Sequence, residues 1–213
     1  GISAGAGVIV ARFFGAGDEK NLQRAVHTTV AFGLVAGVLM TGVGVALSPQ
    51  ILRWMDTPES VMRESVTYLQ IYFAGSLGFV MYNVLVGILQ AVGDSRHPLY
   101  YLIVSSVINL VLDLLFITGF HTGVGGAAVA TVISQIVSAL LCFWQLLRTK
   151  ESYGLKIRKI RFDKGILVQI IKIGLPSGVQ NSIIAFANVI VQSNINAFGE
   201  MAMAGYGAYT KVE

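Results

Sequence analysis

A succession of long apolar runs, separated by short polar or glycine-rich breaks, constrains this chain more than any other feature. Residues 25–47 (AVHTTVAFGLVAGVLMTGVGVAL) form one complete run. Residues 67–92, 99–119, 125–147 and 166–198 form four more, and residues 1–14 read as the end of another. A helix needs about 20 mostly apolar residues to cross the hydrocarbon core of a bilayer. A backbone surrounded by lipid has to satisfy its own hydrogen bonds, which leaves only helices or closed barrels. These runs are too long for barrel strands, so the spans are predicted to be helical. Composition agrees, with 12% charged residues against about 25% in soluble domains. The predicted class is an all-α integral membrane protein, a polytopic helical bundle.

The breaks set the organisation. SPQILRWMDTPESVMRES, from Ser48, is a polar connection with some amphipathic helix. GDSRHP and HTGVGG are turns, since Gly93 and Pro98 punctuate strongly. The basic stretch 148–165 links two parts, 1–147 and 166–213, and a short interfacial lead is expected before Leu175-Pro176. FGEMAMAG turns into a last, partial helix. The chain opens without Met inside an apolar run and has no basic leader, so it reads as an internal piece of a longer protein. Basic residues crowd alternate connections: Arg12, Lys20, Arg24 and Arg96, then Arg148 to Lys164, and Lys172. The other set holds only Arg53 and Arg63. By the positive-inside rule the crowded connections, including the 148–165 linker, are cytoplasmic. The expected location is the cell membrane, multi-pass. Cys142 is the only cysteine, so no intrachain disulfide can form.

Within INLVLDLLF, Asp113 is the sole acid inside any complete span. A charge at mid-membrane costs at least about 2.5 kcal/mol, and such residues mark ion or proton pathways. Ser105, Asn109 and Asp113 recur at i, i+4 and i+8 and so share one helix face. Thr131, Ser134, Gln135 and Ser138 make a stripe on the next span, and Ser177, Asn181, Asn188, Gln192 and Asn196 make another. Hydrogen bonding between helices accounts for the hydroxyls. Asp113 and the amide stripe point instead to an ion site and a cavity lining. His27, His97 and His121 stand singly, without metal-ligand spacing. There is no phosphate-binding loop and no nucleophile–base set, so neither ATP hydrolysis nor enzyme chemistry is expected. Any energy would come from an ion gradient, H⁺ or Na⁺, with no cofactor. GAGD at 15–18 fits the pattern of intramembrane aspartyl proteases, a remote alternative.

FFGAGD, YLQIYFAGSLGFVMYNVLVGILQAVGDSRHPL, INLVLDLLFI, GVGGAAVATVISQ and GLPSG…NAFG, in that order and spacing, resemble the multidrug and toxic compound extrusion (MATE) transporters. The resemblance covers essentially the whole chain. It implies twelve helices in two lobes, of which this chain holds helices two to seven: the end of helix two to helix six in 1–147, and helix seven with the start of helix eight in 166–213. It also implies a cation site using Asn109 and Asp113 of helix five and Thr131 of helix six, with Tyr68 of helix four in the same lobe. Asn83 is implied as a cavity residue, and Ser105, Gln135, Asn181, Asn188 and Gln192 are expected to line the cavity with it. Some branches carry a helix-seven glutamate where this chain has Ile184, which favours the first-lobe site. The implied function is a secondary antiporter that exchanges H⁺ or Na⁺ for amphipathic, often cationic organic compounds by alternating access. The expected partners are such small molecules and the lipid bilayer, not nucleic acid, with the whole protein working as a monomer. A lipid-linked oligosaccharide flippase of the same superfamily is the alternative. Basic grooves facing the cavity would favour it, but the basic residues here lie on the connections.

Overall fold

The computed structural model describes residues 1–55, 57–119 and 123–196; within these, the side chains at 2, 123–124, 189 and 192–196 are outside the description. The described chain is helical almost throughout: α1 (Ile2–Gly15), α2 (Glu19–Trp54), α3 (Glu59–Ala74), α4 (Ser76–Ala91), α5 (Arg96–Leu114), α6 (Gly123–Arg148) and α7 (Lys164–Asn196). Four of these helices are long and apolar enough to cross a membrane, and the α3–α4 pair, bent by 41°, has the length and composition for a fifth if it is one broken span. The partial helix expected after FGEMAMAG lies outside the described residues.

Several element boundaries differ in detail from the sequence reading. The run 67–92 is two helices that meet at Gly75, not one. The Gly75 amide donates to the carbonyls of Ile71 and Tyr72, which tightens the end of α3 as α4 begins. Val132 of α6 fills the space that a β-carbon at Gly75 would need, so the absent side chain lets α6 sit in the bend. α7 also runs unbroken through Pro176, so the residues expected as a lead before Leu175-Pro176 belong to the same helix as the span. A proline removes one backbone bond, a loss that membrane helices tolerate when neighbouring groups are satisfied. The connection after residue 47 is also shorter than expected, because α2 continues through Pro49 to Trp54.

Local sequence starts the helices. Asp18 caps α2, its carboxylate accepting from the Asn21 amide at 3.0 Å and the Asn21 side chain at 2.7 Å. These bonds, the backbone one foremost, hold the Asp18 carboxyl below its ordinary pKa. Gly93 ends α4 in the left-handed region at φ 85°, which glycine enters without strain.

The buried core gathers at one end of the bundle. Ile9 and Val10 of α1, Leu22, Val26 and Val30 of α2, Leu85, Ile88 and Leu89 of α4, Leu146 of α6 and Ile170 of α7 are all essentially inaccessible. α4 packs against α1, α2 and α6, which places it in the middle. α1 and α7 cross glycine on glycine. Gly1 and Gly5 face Gly178 and Gly174, and a β-carbon at Gly5 would lie 2.6 Å from the Gly174 Cα. Paired small residues four apart are how helices in lipid bring their backbones together. α5 keeps a broad exposed apolar face, Leu102, Val107 and Leu110 among it, suited to lipid or further helices.

Candidate functional site

Asn109 and Asp113 occupy successive turns of α5, both half-buried. Asn109 Nδ2 and Asp113 Oδ1 are buried atoms without a hydrogen-bond partner among the described residues. Buried polar atoms are nearly always paired. An orphan carboxylate oxygen in an apolar span is relieved by a proton or by a cation. Immediately after Asp113 the α-helix gives way to a π-helical turn, Leu115–Gly119, a distortion that often accompanies functional sites. Nothing in the sequence pattern marked it.

The other implied coupling residues come from neighbouring helices. Thr131 lies on α6, which packs along α5. Its hydroxyl donates to the Ala127 carbonyl at 3.0 Å, which leaves its oxygen free to accept. Tyr68 sits on α3, stacked on Tyr72 with ring centroids 6.3 Å apart. α3 reaches α6 but does not pack on α5 among the pairs with substantial contact.

The residues expected in a cavity divide. A cavity of about 1020 Å³ lies between α1, α2, α4 and α7, beyond the core, and both Asn83 and Asn181 line it with Phe32, Met40, Phe79 and Phe186. Its described lining carries no charged side chain. The Asn83 amide donates to the Phe79 carbonyl at 2.8 Å, and Ser3 donates to the Asn83 carbonyl at 2.7 Å. Asn188 is exposed further along α7, and the side chain of Gln192 is outside the description. Ser105 is buried and bonds back to the Leu102 carbonyl, while Gln135 is half-buried on α6. Asn109, Asp113, Thr131, Ser105 and Gln135 are not among the lining residues of this cavity. Asp18 of the GAGD motif is spent on capping α2.

Sequence reasoning passed over a second polar assembly. Gln23, Arg24, His27 and Thr28 form one face at the start of α2, and the 148–165 linker is docked on it. Gln23 donates to the carbonyls of Ser152 and Gly154. Buried His27 accepts from the Lys156 amide at 3.0 Å, and its other ring nitrogen sits 2.6 Å from the Gln23 carbonyl. Thr28 accepts from the Asp163 amide at 3.1 Å. Asp163 pairs with Arg24 and caps α7 by accepting from the Ile166 amide at 3.1 Å. The partners are mostly backbone groups, which leave no mark in a sequence.

A bundle of membrane-length helices, with an orphan carboxylate on one helix and an uncharged cavity between others, defines the class as a polytopic membrane transporter. The MatE family model matches residues 1–115, more than half of the chain, and the chain belongs to that family, whose members are transporters and not enzymes. It is 32% identical to the "Probable multidrug resistance protein YoeA" of Bacillus subtilis (strain 168), over 100% of this chain and 47% of that protein. Among solved structures it superposes on the outward-facing conformation of a multidrug resistance MATE family transporter of the MOP superfamily, with TM-score 0.85, 25% identity, and 99% of this chain and 47% of that one covered. The inward-facing conformation of such a transporter gives TM-score 0.76 at 28% identity, covering 83% and 40%. The chain thus spans about half the length of these relatives.

Proposed function

We propose that the whole protein carrying this chain is a secondary multidrug exporter, driven by inward movement of H⁺ or Na⁺ and working by alternating access as a monomer. Asp113 is the coupling group. The observation that carries this reading is its buried, unpartnered oxygen one turn from an unpartnered Asn109 nitrogen. Taking up a proton or a cation would relieve that oxygen, and the change would be felt by α6 through Thr131. Tyr68 belongs to the same lobe and acts at its edge. Residues 1–147 form most of one lobe, 148–165 the cytoplasmic linker, and α7 the start of the second. The cavity holds the substrate, with Asn83 and Asn181 on its walls and Asn188 and Gln192 continuing the stripe beyond. Ser105 and Gln135 act from the α5–α6 pair. With the linker end in the cytoplasm, the cavity opens outward. Its aromatic, uncharged lining suits amphipathic organic cations.

The test is substrate efflux from proteoliposomes under an imposed H⁺ or Na⁺ gradient, with wild type and Asp113→Asn at matched density. The amide keeps size and hydrogen bonding but cannot titrate. Gradient-driven efflux should fall at least about a hundredfold, while substrate binding persists and loses its dependence on pH or Na⁺. A ligand shifts a conformational equilibrium only through its differential affinity for the two states. Wild-type efflux by the Asn variant would remove Asp113 from the mechanism.

A further inference from the structure

Beside the docked linker lies a polar cavity of about 570 Å³, remote from the transport cavity. Its walls carry Lys20, Arg24, Arg158, Lys159 and Arg161 and a single carboxylate, Asp163. That carboxylate is already engaged by Arg24 and by the first turn of α7. Lys20, Arg158, Lys159 and Arg161 have no salt-bridge partner among the described residues. A free loop would let like charges spread into solvent. Here the bonds from Gln23, His27 and Thr28 fix the linker backbone on both sides of them. Arg158, Lys159 and Arg161 are therefore held together without a counter-charge of their own, while Lys20 shares the field of Asp18.

The chain on either side of these cations is apolar and exposed. Ile157 is 60% and Phe162 46% exposed, and they bracket Arg158, Lys159 and Arg161 in sequence. Trp144, near the end of α6, is also exposed and lies under the Arg148 guanidinium at 4.3 Å. Cations flanked by exposed apolar side chains, at the ends of membrane-length helices, match the headgroup boundary of a bilayer: the charges meet phosphate and the apolar groups reach the acyl region. Arginine forks suit the two free oxygens of a phosphodiester.

We infer that this cavity is a binding site for the phosphate of an anionic phospholipid headgroup, held by Arg158, Arg161 and Lys20 with Ile157 and Phe162 in the acyl boundary. The bound lipid would brace the linker where it joins α7. This does not depend on the transport reading above, and its test reads binding rather than efflux.

The whole protein, purified in a neutral detergent, is titrated with short-chain phosphatidylglycerol, short-chain phosphatidylcholine and inorganic phosphate, and binding is followed by thermophoresis. Phosphatidylglycerol should bind with salt-sensitive affinity, with the other two far weaker. Lys20→Gln/Arg158→Gln/Arg161→Gln should weaken phosphatidylglycerol by about tenfold or more, while Arg53→Gln/Arg63→Gln should leave it unchanged. Arg158→Lys/Arg161→Lys, which keeps the charge but loses the fork, should bind phosphatidylglycerol more weakly than wild type and more tightly than the Gln variant, which separates loss of charge from loss of fold. Ile157→Ser/Phe162→Ser should weaken the lipid without changing the response to inorganic phosphate. The proposal is overturned by undiminished lipid binding in the triple Gln variant, or by equal loss in the Arg53/Arg63 control. Inorganic phosphate binding as tightly as phosphatidylglycerol and displacing it would overturn it too, since the site would then serve a soluble anion.

Discussion

Single side chains carry the most specific consequences. If Asn109 supports the ion at Asp113, Asn109→Leu should leave insertion intact and raise the H⁺ or Na⁺ concentration for half-maximal efflux by about tenfold, the scale of one hydrogen bond to a charged group. Transport assays across a cation series check this, and an unchanged half-point would restrict Asn109 to packing. His27 is a structural counterpart. His27→Ala removes a buried ring and leaves the Lys156 amide without its acceptor, at a cost of about 1 kcal/mol for the lost bond. The linker should then open, and trypsin should nick it at Arg158, Lys159 or Arg161 about tenfold faster or more. Asp163 adds a pH term. The Ile166 amide bond, and behind it the Arg24 charge, hold its carboxyl below the ordinary aspartate value. Its contribution is therefore complete above the unfolded pKa of about 3.9 and is lost as pH falls through the lower folded value. Asp163→Asn keeps the cap acceptor but drops the charge. It should speed amide exchange at Asp163 and Lys156 by about threefold at neutral pH, the scale of an exposed ion pair. Asp113 was legible in the sequence because a lone acid in an apolar run has no bland explanation. His27 was not, because its partners are backbone groups, one a helical turn back at Gln23 and the other more than a hundred residues away at Lys156.

Among the elements, the α1–α7 crossing is the most exposed to a single substitution. Gly5→Leu would drive a side chain into the α7 backbone, where even a β-carbon lies 2.6 Å from the Gly174 Cα. Overpacking of this kind costs about 1–3 kcal/mol. The thermal midpoint in detergent should fall by several degrees, while Gly165→Leu, at a position with only the Asp163 carboxylate nearby, should shift it little. The helices themselves were readable from hydropathy: 125–147 emerges as Gly123–Arg148 and 166–198 as Lys164–Asn196. The failures were local. The α3–α4 bend depends on Val132 from another helix, which no window of 20 residues contains. Pro49 lies in what reads as a connection, yet α2 continues through it to Trp54.

At the scale of the molecule, the basic-residue bias predicts that the core end faces the cytoplasm. Cysteines introduced by Lys20→Cys, Arg96→Cys and Lys159→Cys should resist an impermeant thiol reagent in intact cells, whereas Thr57→Cys should react. Native Cys142 is buried and should stay silent. Labelling in the reverse pattern would invert the orientation and the direction assigned to the cavity. The docked linker has a further bearing on motion. Fully extended, the 15 residues between Arg148 and Lys164 could reach about 50 Å, slack enough to let two halves of a transporter drift apart freely. Stitched to α2 at Gln23, His27 and Thr28, that slack is gone, and the base of α7 moves as part of α2. Any swing of α7 must then be taken up within the helix itself. Pro176, about 18 Å above its first residue at 1.5 Å per residue, is the weak point of the lever: the foot of α7 is fixed to the floor, and its upper arm can turn only by carrying or leaving the α1 backbone that lies against Gly178.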